Sequence, residues 1–223
     1  MTVVVACRAA DGTLVFGSDR RFSSEDEIHN GKKLYFHPMM NGSAVMGMAA
    51  EDAKHGFAHV VDLQIALNRV TFDQDPTVVV QEGMKNPASF GAQNETSEEV
   101  EILCGIASPA LRKPKLLGVF GRATHDLDEK SCCCIGSGAG PARGFLKLAS
   151  NRLNSLWDVQ LAVCASVWLA KETDPRCGGE TDIWWLSRDG KGELEVERIK
   201  AFEGYIETSL LPITARWIAD APL

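Results

Sequence analysis

Thr2-Val3-Val4-Val5-Ala6-Cys7, Asp11-Gly12-Thr13-Leu14-Val15-Phe16-Gly17-Ser18-Asp19 and Asn30-Gly31-Lys32-Lys33 follow one another at the start of the chain. Two apolar runs around Asp11-Gly12 predict a β-hairpin, because Asp-Gly readily takes the positive φ that a tight turn requires. The hairpin folds Asp19 and Lys33 back on Thr2. Thr2 is second to Met1, and its short side chain is of the kind that permits Met1 removal. Once exposed, Thr2 carries a hydroxyl and a free α-amine on one residue, so nucleophile and proton acceptor come together. An α-amine of reference pKa about 7.7–8.0 is partly neutral at pH 7 and can act as a base.

The 223 residues are 45% apolar, enough for a substantial core, and predict one domain over 1–223. A formal net charge of −7 argues against nucleic acid or an anionic membrane as the main partner. No stretch approaches 18 apolar residues and the N-terminus lacks a signal-peptide pattern, which predicts a cytoplasmic protein. The seven cysteines include no Cys-x-x-Cys, and Cys132-Cys133-Cys134 reads as part of a strand with buried, reduced thiols. His55 and His59 are four apart on a helix but lack the Glu of a zinc-peptidase motif, so no metal is predicted.

Further along, residues 34–37 and 43–46 read as a second hairpin. Ala53, Phe57, Val60, Leu63, Leu67 and Val70 recur at threes and fours, which predicts a helix from Glu51 to about Phe72. Residues 77–84 are helical or extended, and 85–97 a polar loop. Strands over 99–108, 115–122 and 130–135 form a second group. The glycine-rich stretch from Gly136 to Gly144 fits neither a Walker nor a dinucleotide spacing, since Pro141 stands where a glycine belongs. It reads as a strand-to-helix turn with Pro141 at the first helical position. Ser155 and Asp158 form a capping-box start for a helix over 156–171 that is apolar on nearly all sides, as if packed between a sheet and a neighbouring subunit. Residues 182–187 and 193–199 read as a closing hairpin, and 202–218 as a surface helix interrupted by Pro212. This pattern predicts an α+β fold.

The stretch from Thr2 through Asp19-x-Arg21-x-Ser23, Lys33, and Met46-Gly47-Met48-Ala49-Ala50-Glu51-Asp52 resembles the front half of a proteasome β-type subunit or its simpler bacterial relatives. Ile135-Gly136-Ser137-Gly138, Asp174-x-x-Cys177-Gly178-Gly179 and Arg188-Asp189-Gly190 follow in the family's order, so the resemblance spans most of the chain. It implies a four-layer αββα sandwich of two antiparallel sheets with helices outside, the N-terminal-nucleophile hydrolase fold. It also implies a threonine endopeptidase that cleaves unfolded proteins or peptides inside a homo-oligomeric ring. No cofactor is needed, and an ATP-dependent unfoldase can feed such a chamber. By the same resemblance Thr2 is the nucleophile, Lys33 the cation that favours its alkoxide, Asp19 the anchor of Lys33, and Gly47 the oxyanion donor. Ser137, Asp174 and Cys177 form the auxiliary group around the α-amine, with Cys177 where the family usually has Ser. Ser23, Val45, Gly47 and Ala49 contact an extended substrate. Two alternatives remain open at this stage: a non-catalytic barrel subunit that retains Met1, and a small-molecule amidase with the same nucleophile.

Overall fold

The computed structural model describes residues 2–23, 28–71, 74–86 and 100–210, and of Ser23, Ile28 and Leu210 the backbone alone. Strands β1 (Val4–Arg8) and β2 (Leu14–Asp19) are the first hairpin. Its turn is closed by Ala9 N–H to Thr13 O at 2.8 Å and Gly12 N–H to Ala9 O at 2.9 Å, with Gly12 at φ 89°. Strands β3 (Arg21–Ser23) and β4 (Ile28–Asn30) make a two-stranded ribbon. Next come β5 (Leu34–Met39), β6 (Gly42–Ala50), β7 (Val100–Ala107), β8 (Lys115–Phe120) and β9 (Ala123–Asp126), which lie side by side in chain order as an antiparallel meander. The other five-stranded sheet takes its strands from both ends of the chain. Strand β10 (Cys132–Ile135) flanks β1, and β11 (Thr181–Leu186) and β12 (Lys191–Glu193) extend the sheet beyond β2.

Five α-helices occur among the described residues: α1 (Ala53–Leu67), α2 (Pro76–Lys85), α3 (Ala139–Ala149), α4 (Leu156–Thr173) and α5 (Val196–Tyr205). Strand alternation sorts the core. Val4, Ala6, Leu14 and Phe16 of the first sheet pack against Val45, Ala49, Leu103 and Leu116 of the second. Val3, Val5, Val15 and Ile183 turn the other way, onto Leu146 of α3, Val163 and Val167 of α4 and Phe202 of α5. On the second sheet Met46, Met48 and Ile102 meet Val60, Leu63 and Leu67 of α1 and Val80 and Met84 of α2. Because β1 and β2 are covered on both faces, they read as continuous apolar runs and not as alternation. No helix among the described residues is long and apolar enough to cross a membrane.

The α+β expectation matches this architecture, but several local readings change. β10 does not join β7 and β8; it pairs with β1 in the register Val4↔Ile135 to Cys7↔Cys132, a crossing that sequence proximity does not reveal. The short polar strand β9 was not anticipated. The closing strand ends at Glu193, and α5 begins at Val196, where Ile199, Phe202 and Ile206 are buried at helical spacing. The expected helix over 202–218 therefore starts earlier, and its part from residue 211 lies outside the described residues, as does the loop expected at 85–97 from residue 87 on. Finally, α1 stops at Leu67, and Pro141 is the third residue of α3 and not the first.

Helix α4 has the capping box read from its sequence, with Asp158 N–H donating to Ser155 Oγ at 3.2 Å and Ser155 N–H to Asp158 Oδ2 at 2.9 Å. Most of its apolar circumference is filled within the chain, by the sheet beneath it and by α3 and α5 beside it, while Trp157 near its start stays 52% exposed. Gly17 of β2 allows α4 to lie this close: a Cβ there would fall 2.4 Å from Val163 Cγ1. Gly17→Ala is expected to lower stability by about 1–3 kcal/mol through overpacking, read as a lower urea midpoint at unchanged slope. A midpoint equal to that of the parent would mean that α4 is not held against β2.

Candidate active site

Asp19 closes β2 where that strand passes the start of β1. Its Oδ1 accepts Val3 N–H at 3.0 Å and the Thr2 hydroxyl, and its Oδ2 accepts Gly178 N–H at 2.9 Å. Lys33 stands just before β5, where the Met48 N–H donates to its carbonyl at 3.1 Å. Its Nζ donates to Asp19 Oδ1 at 2.9 Å, to Thr2 Oγ1 and to the carbonyl of Arg21, and lies 4.8 Å from the centre of the Phe22 ring. The three donors of an ammonium thus have three acceptors. Lys33 and Asp19 are both 0% exposed and Thr2 is 2% exposed, which makes this a buried ion pair wrapped around a hydroxyl. Burial pulls the Lys33 pKa below its ordinary value, against the opposing pull of Asp19.

The glycine-rich turn after β10 holds the other side of Thr2. Gly138 N–H donates to Thr2 O at 3.3 Å, and Gly136, at φ 87°, passes so close that a Cβ would fall 2.1 Å from that same oxygen. Both the φ and the approach require glycine. Glu101 of β7 fixes the turn by accepting Gly136 N–H at 2.7 Å. Cys177 lies against this turn, its Sγ 2.7 Å from where a Gly138 Cβ would stand and 3.8 Å from Asp174 Oδ2. Burial, with the nearby carboxylates of Asp19 and Asp174, pushes the Cys177 thiol up to about 12, so it is a neutral group. The buried Ser137 hydroxyl has no partner of normal hydrogen-bond geometry, yet it is close enough to Asp174 and Cys177 to favour their charged forms.

Thr2, Asp19 and Lys33 therefore meet, and Ser137, Asp174 and Cys177 gather beside them. Val45, Gly47 and Ala49 share the face of β6 that looks onto the first sheet; Val45 is fully buried there, and Ala49 lies beside Gly136. The expected oxyanion role of Gly47 needs correction. Met48 N–H points to Lys33, so by strand alternation Gly47 turns its N–H to Leu103 of β7, where the sheet takes it up. A Cβ on Gly47 would fall 2.4 Å from Val4 Cγ1, so close packing of the sheets accounts for this glycine. Ser23 has its backbone in β3 while its side chain, like Met1, lies outside the described residues. Sequence reading missed Glu101, the Arg21 carbonyl and Gly178, although the last stands inside the quoted Cys177-Gly178-Gly179.

No family profile matches the chain, and no curated protein matches it. Solved structures do, and what they share with this chain is its α+β fold. Structures named Anbu are among those it matches. An Anbu (Gly-1) mutant from Hyphomicrobium sp. strain MC1 has a TM-score of 0.76 and 17% identity, covering 100% of this chain and 99% of that one. Anbu from Yersinia bercovieri, described as an ancestral beta-subunit, has a TM-score of 0.77 and 14% identity over 99% of this chain and 97% of its own. The helical assembly of the Anbu complex from Pseudomonas aeruginosa gives 0.67 and 16%, over 99% and 97%. At these identities the likeness shows the fold alone. It corrects the family resemblance: the structures matched are Anbu proteins, where a proteasome β-type subunit was expected.

The geometry also changes what Lys33 should do to stability. As a solvated loop charge it would be worth no more than about 0.5 kcal/mol, whereas removing one partner of a buried pair costs about 3–5 kcal/mol. Lys33→Met should therefore lower the unfolding free energy at pH 7 by an amount in the second range. The sign of the pH dependence follows from the depressed pKa. Between that pKa and the unfolded value of about 10.4, the unfolded chain holds more protons, so the Lys33 contribution to stability rises with pH. Denaturation of parent and variant from pH 7 to 10.5 measures both; a pH-independent difference near zero would contradict the burial.

Proposed function

We propose that this chain is a threonine-type N-terminal-nucleophile peptidase, active after Met1 removal and working as a homo-oligomer on unfolded proteins or peptides. The observation that carries the reading is the buried contact of Lys33 Nζ with Thr2 Oγ1 and Asp19 Oδ1 on the residue that Met1 removal would expose. In this reading the chain is one domain, and its two sheets lie face to face between outer helices as a four-layer αββα sandwich.

The chemistry follows from the parts. The free α-amine of Thr2 takes the hydroxyl proton as Oγ1 attacks the carbonyl carbon of a peptide bond. The C–N bond then breaks, the departing amine receives that proton, and the acyl group remains on Oγ1 as an ester. Water, deprotonated by the same amine, attacks the ester carbonyl; the C–Oγ1 bond breaks, Oγ1 recovers the proton from the amine, and the acid is released. Throughout, the ammonium of Lys33 lies against the oxygen on which negative charge develops, and Asp19, held by two backbone N–H groups, keeps the ammonium there. Gly138 pins the Thr2 carbonyl and so sets the direction of its amine. Asp174, Ser137 and the thiol of Cys177 surround that amine; a thiol is a weaker hydrogen-bond partner than the hydroxyl usual at this place, so more of this task falls to Asp174 and Ser137. Ser23 and Ala49 flank the path of the extended substrate, and Val45, fully buried, lies beneath it.

Assembly is proposed from the Anbu likeness, one member of which was solved as a helical assembly, and from exposed apolar side chains such as Leu148 and Met40, at 83% and 87% exposure. Light scattering at micromolar concentration should give a multiple of the chain mass, and a monomer that retains full activity would oppose it. The catalytic test uses Met1-processed protein with Lys33→Ala and Lys33→Arg, each shown to be folded by circular dichroism. Peptide turnover should fall about a hundred- to a thousandfold in Lys33→Ala, and Arg should not restore it, because its planar head cannot take the three contacts of a compact ammonium. Turnover within about threefold of the parent in both variants would defeat the proposal.

A further inference from the structure

Cys7 of β1 and Cys132 of the edge strand β10 lie directly opposite each other in the ladder. The neighbouring pair exchanges a backbone hydrogen bond, Arg8 N–H to Ser131 O at 2.8 Å, so by alternation Cys7 and Cys132 are a non-hydrogen-bonded pair. Such pairs hold their Cα atoms about 4.5 Å apart with both side chains on one face, within the span of a disulfide. The two sulfurs are 2.7 Å apart, closer than unbonded sulfurs ordinarily come. Both pack on the helix side of the sheet. Cys133 points to the opposite face, into the layer between the sheets, so the adjacent cysteine is not a competing partner.

The two thiols also differ in the way a dithiol reaction requires. Cys7 is fully buried, and burial pushes its thiol well above the ordinary value. Cys132 is partly exposed, and the hydrogen bond from Cys7, helped by one from Ser131, draws its pKa below the ordinary value. Cys132 is thus the thiol that a small oxidant approaches first, with the Cys7 thiol in contact behind it.

We propose that Cys7 and Cys132 are a redox site that closes to an intramolecular disulfide when the chain meets a hydroperoxide. The Cys132 thiolate attacks the peroxide, an S–O bond forms, the O–O bond breaks, and the departing oxygen takes a proton to leave as water or an alcohol. Cys7 then attacks the sulfenic sulfur, the S–S bond forms, the S–O bond breaks, and hydroxide leaves as water with the Cys7 proton. Two thiols lose two electrons and one peroxide gains them; an external dithiol reverses the step by exchange. The bridge ties the edge strand β10 to β1, and β10 runs directly into the Gly136–Gly138 turn that holds the Thr2 carbonyl, so the bridge braces the strand pair that positions Thr2.

The experiment exposes the reduced full-length protein to hydrogen peroxide, blocks remaining thiols with a maleimide, and maps unreduced peptides by mass spectrometry. The expected result is the loss of two hydrogens and a linked pair containing Cys7 and Cys132, reversed by dithiothreitol, with a melting temperature higher by at least about 5 °C in the oxidised form. Cys133→Ala should leave the linked pair intact. Cys7→Ala should stop at a sulfenic acid on Cys132, trapped by dimedone. A Cys132–Cys133 link, an intermolecular link in place of the internal one, or maleimide on both Cys7 and Cys132 after peroxide would overturn the proposal.

Discussion

A fully buried ammonium group constrains the whole N-terminal half of this molecule. Taking such an ion from water costs several kcal/mol even after relaxation, and only a complete set of close acceptors offsets it. Lys33 finds its set in Thr2, Asp19 and the carbonyl of Arg21, which come from the approach to β1, the end of β2 and the start of β3. The first hairpin must therefore keep its register, and the ribbon must leave β2 at a fixed angle. The same three contacts that make Lys33 tolerable in the core also place its charge on the Thr2 hydroxyl. Folding and the proposed chemistry thus depend on one arrangement, so a stability measurement alone does not separate an enzyme from an inert relative.

Around this pair, backbone does much of the work that side chains were expected to do. Gly178 donates its N–H to Asp19 and accepts with its carbonyl from Arg20 and Arg21 at 3.2 and 3.0 Å, so the loop after α4 braces the carboxylate and the ribbon together. A Cβ at Gly178 would stand 2.5 Å from Arg21 Cζ. At the Thr2 carbonyl Gly136 permits the close approach and Gly138 supplies the N–H. Gly178 and Gly136 let main chain approach where any side chain would intervene, and short-range backbone dipoles then fix groups that must not move.

Much of this was legible from the sequence because it rests on local rules. Asp11-Gly12 marked the hairpin, Ser155 and Asp158 marked the start of α4, and ordered motifs pointed to Thr2, Asp19 and Lys33. What was not legible depends on contacts between distant segments. Nothing near Cys132 shows that β10 pairs with β1, and nothing near Glu101 shows that it caps a turn after β10. Gly47 was assigned a role from its place in a motif, while its N–H direction is set by strand alternation from Met48, which only the register reveals. Helix α4 reads as apolar on nearly all sides, and α3, α5 and the sheet cover most of it, leaving Trp157 half exposed. The helical start at Val196 could have been found from the spacing of Ile199, Phe202 and Ile206.

The central claim is that Thr2 is the nucleophile, and it has a direct chemical readout. Protein isolated from its natural host would be treated with a β-lactone, and its N-terminal peptide sequenced by tandem mass spectrometry. The account predicts a chain that begins at Thr2 and carries one acyl adduct on the Thr2 oxygen. A chain that begins at Met1, or an adduct on any other residue with Thr2 unmodified, would contradict it.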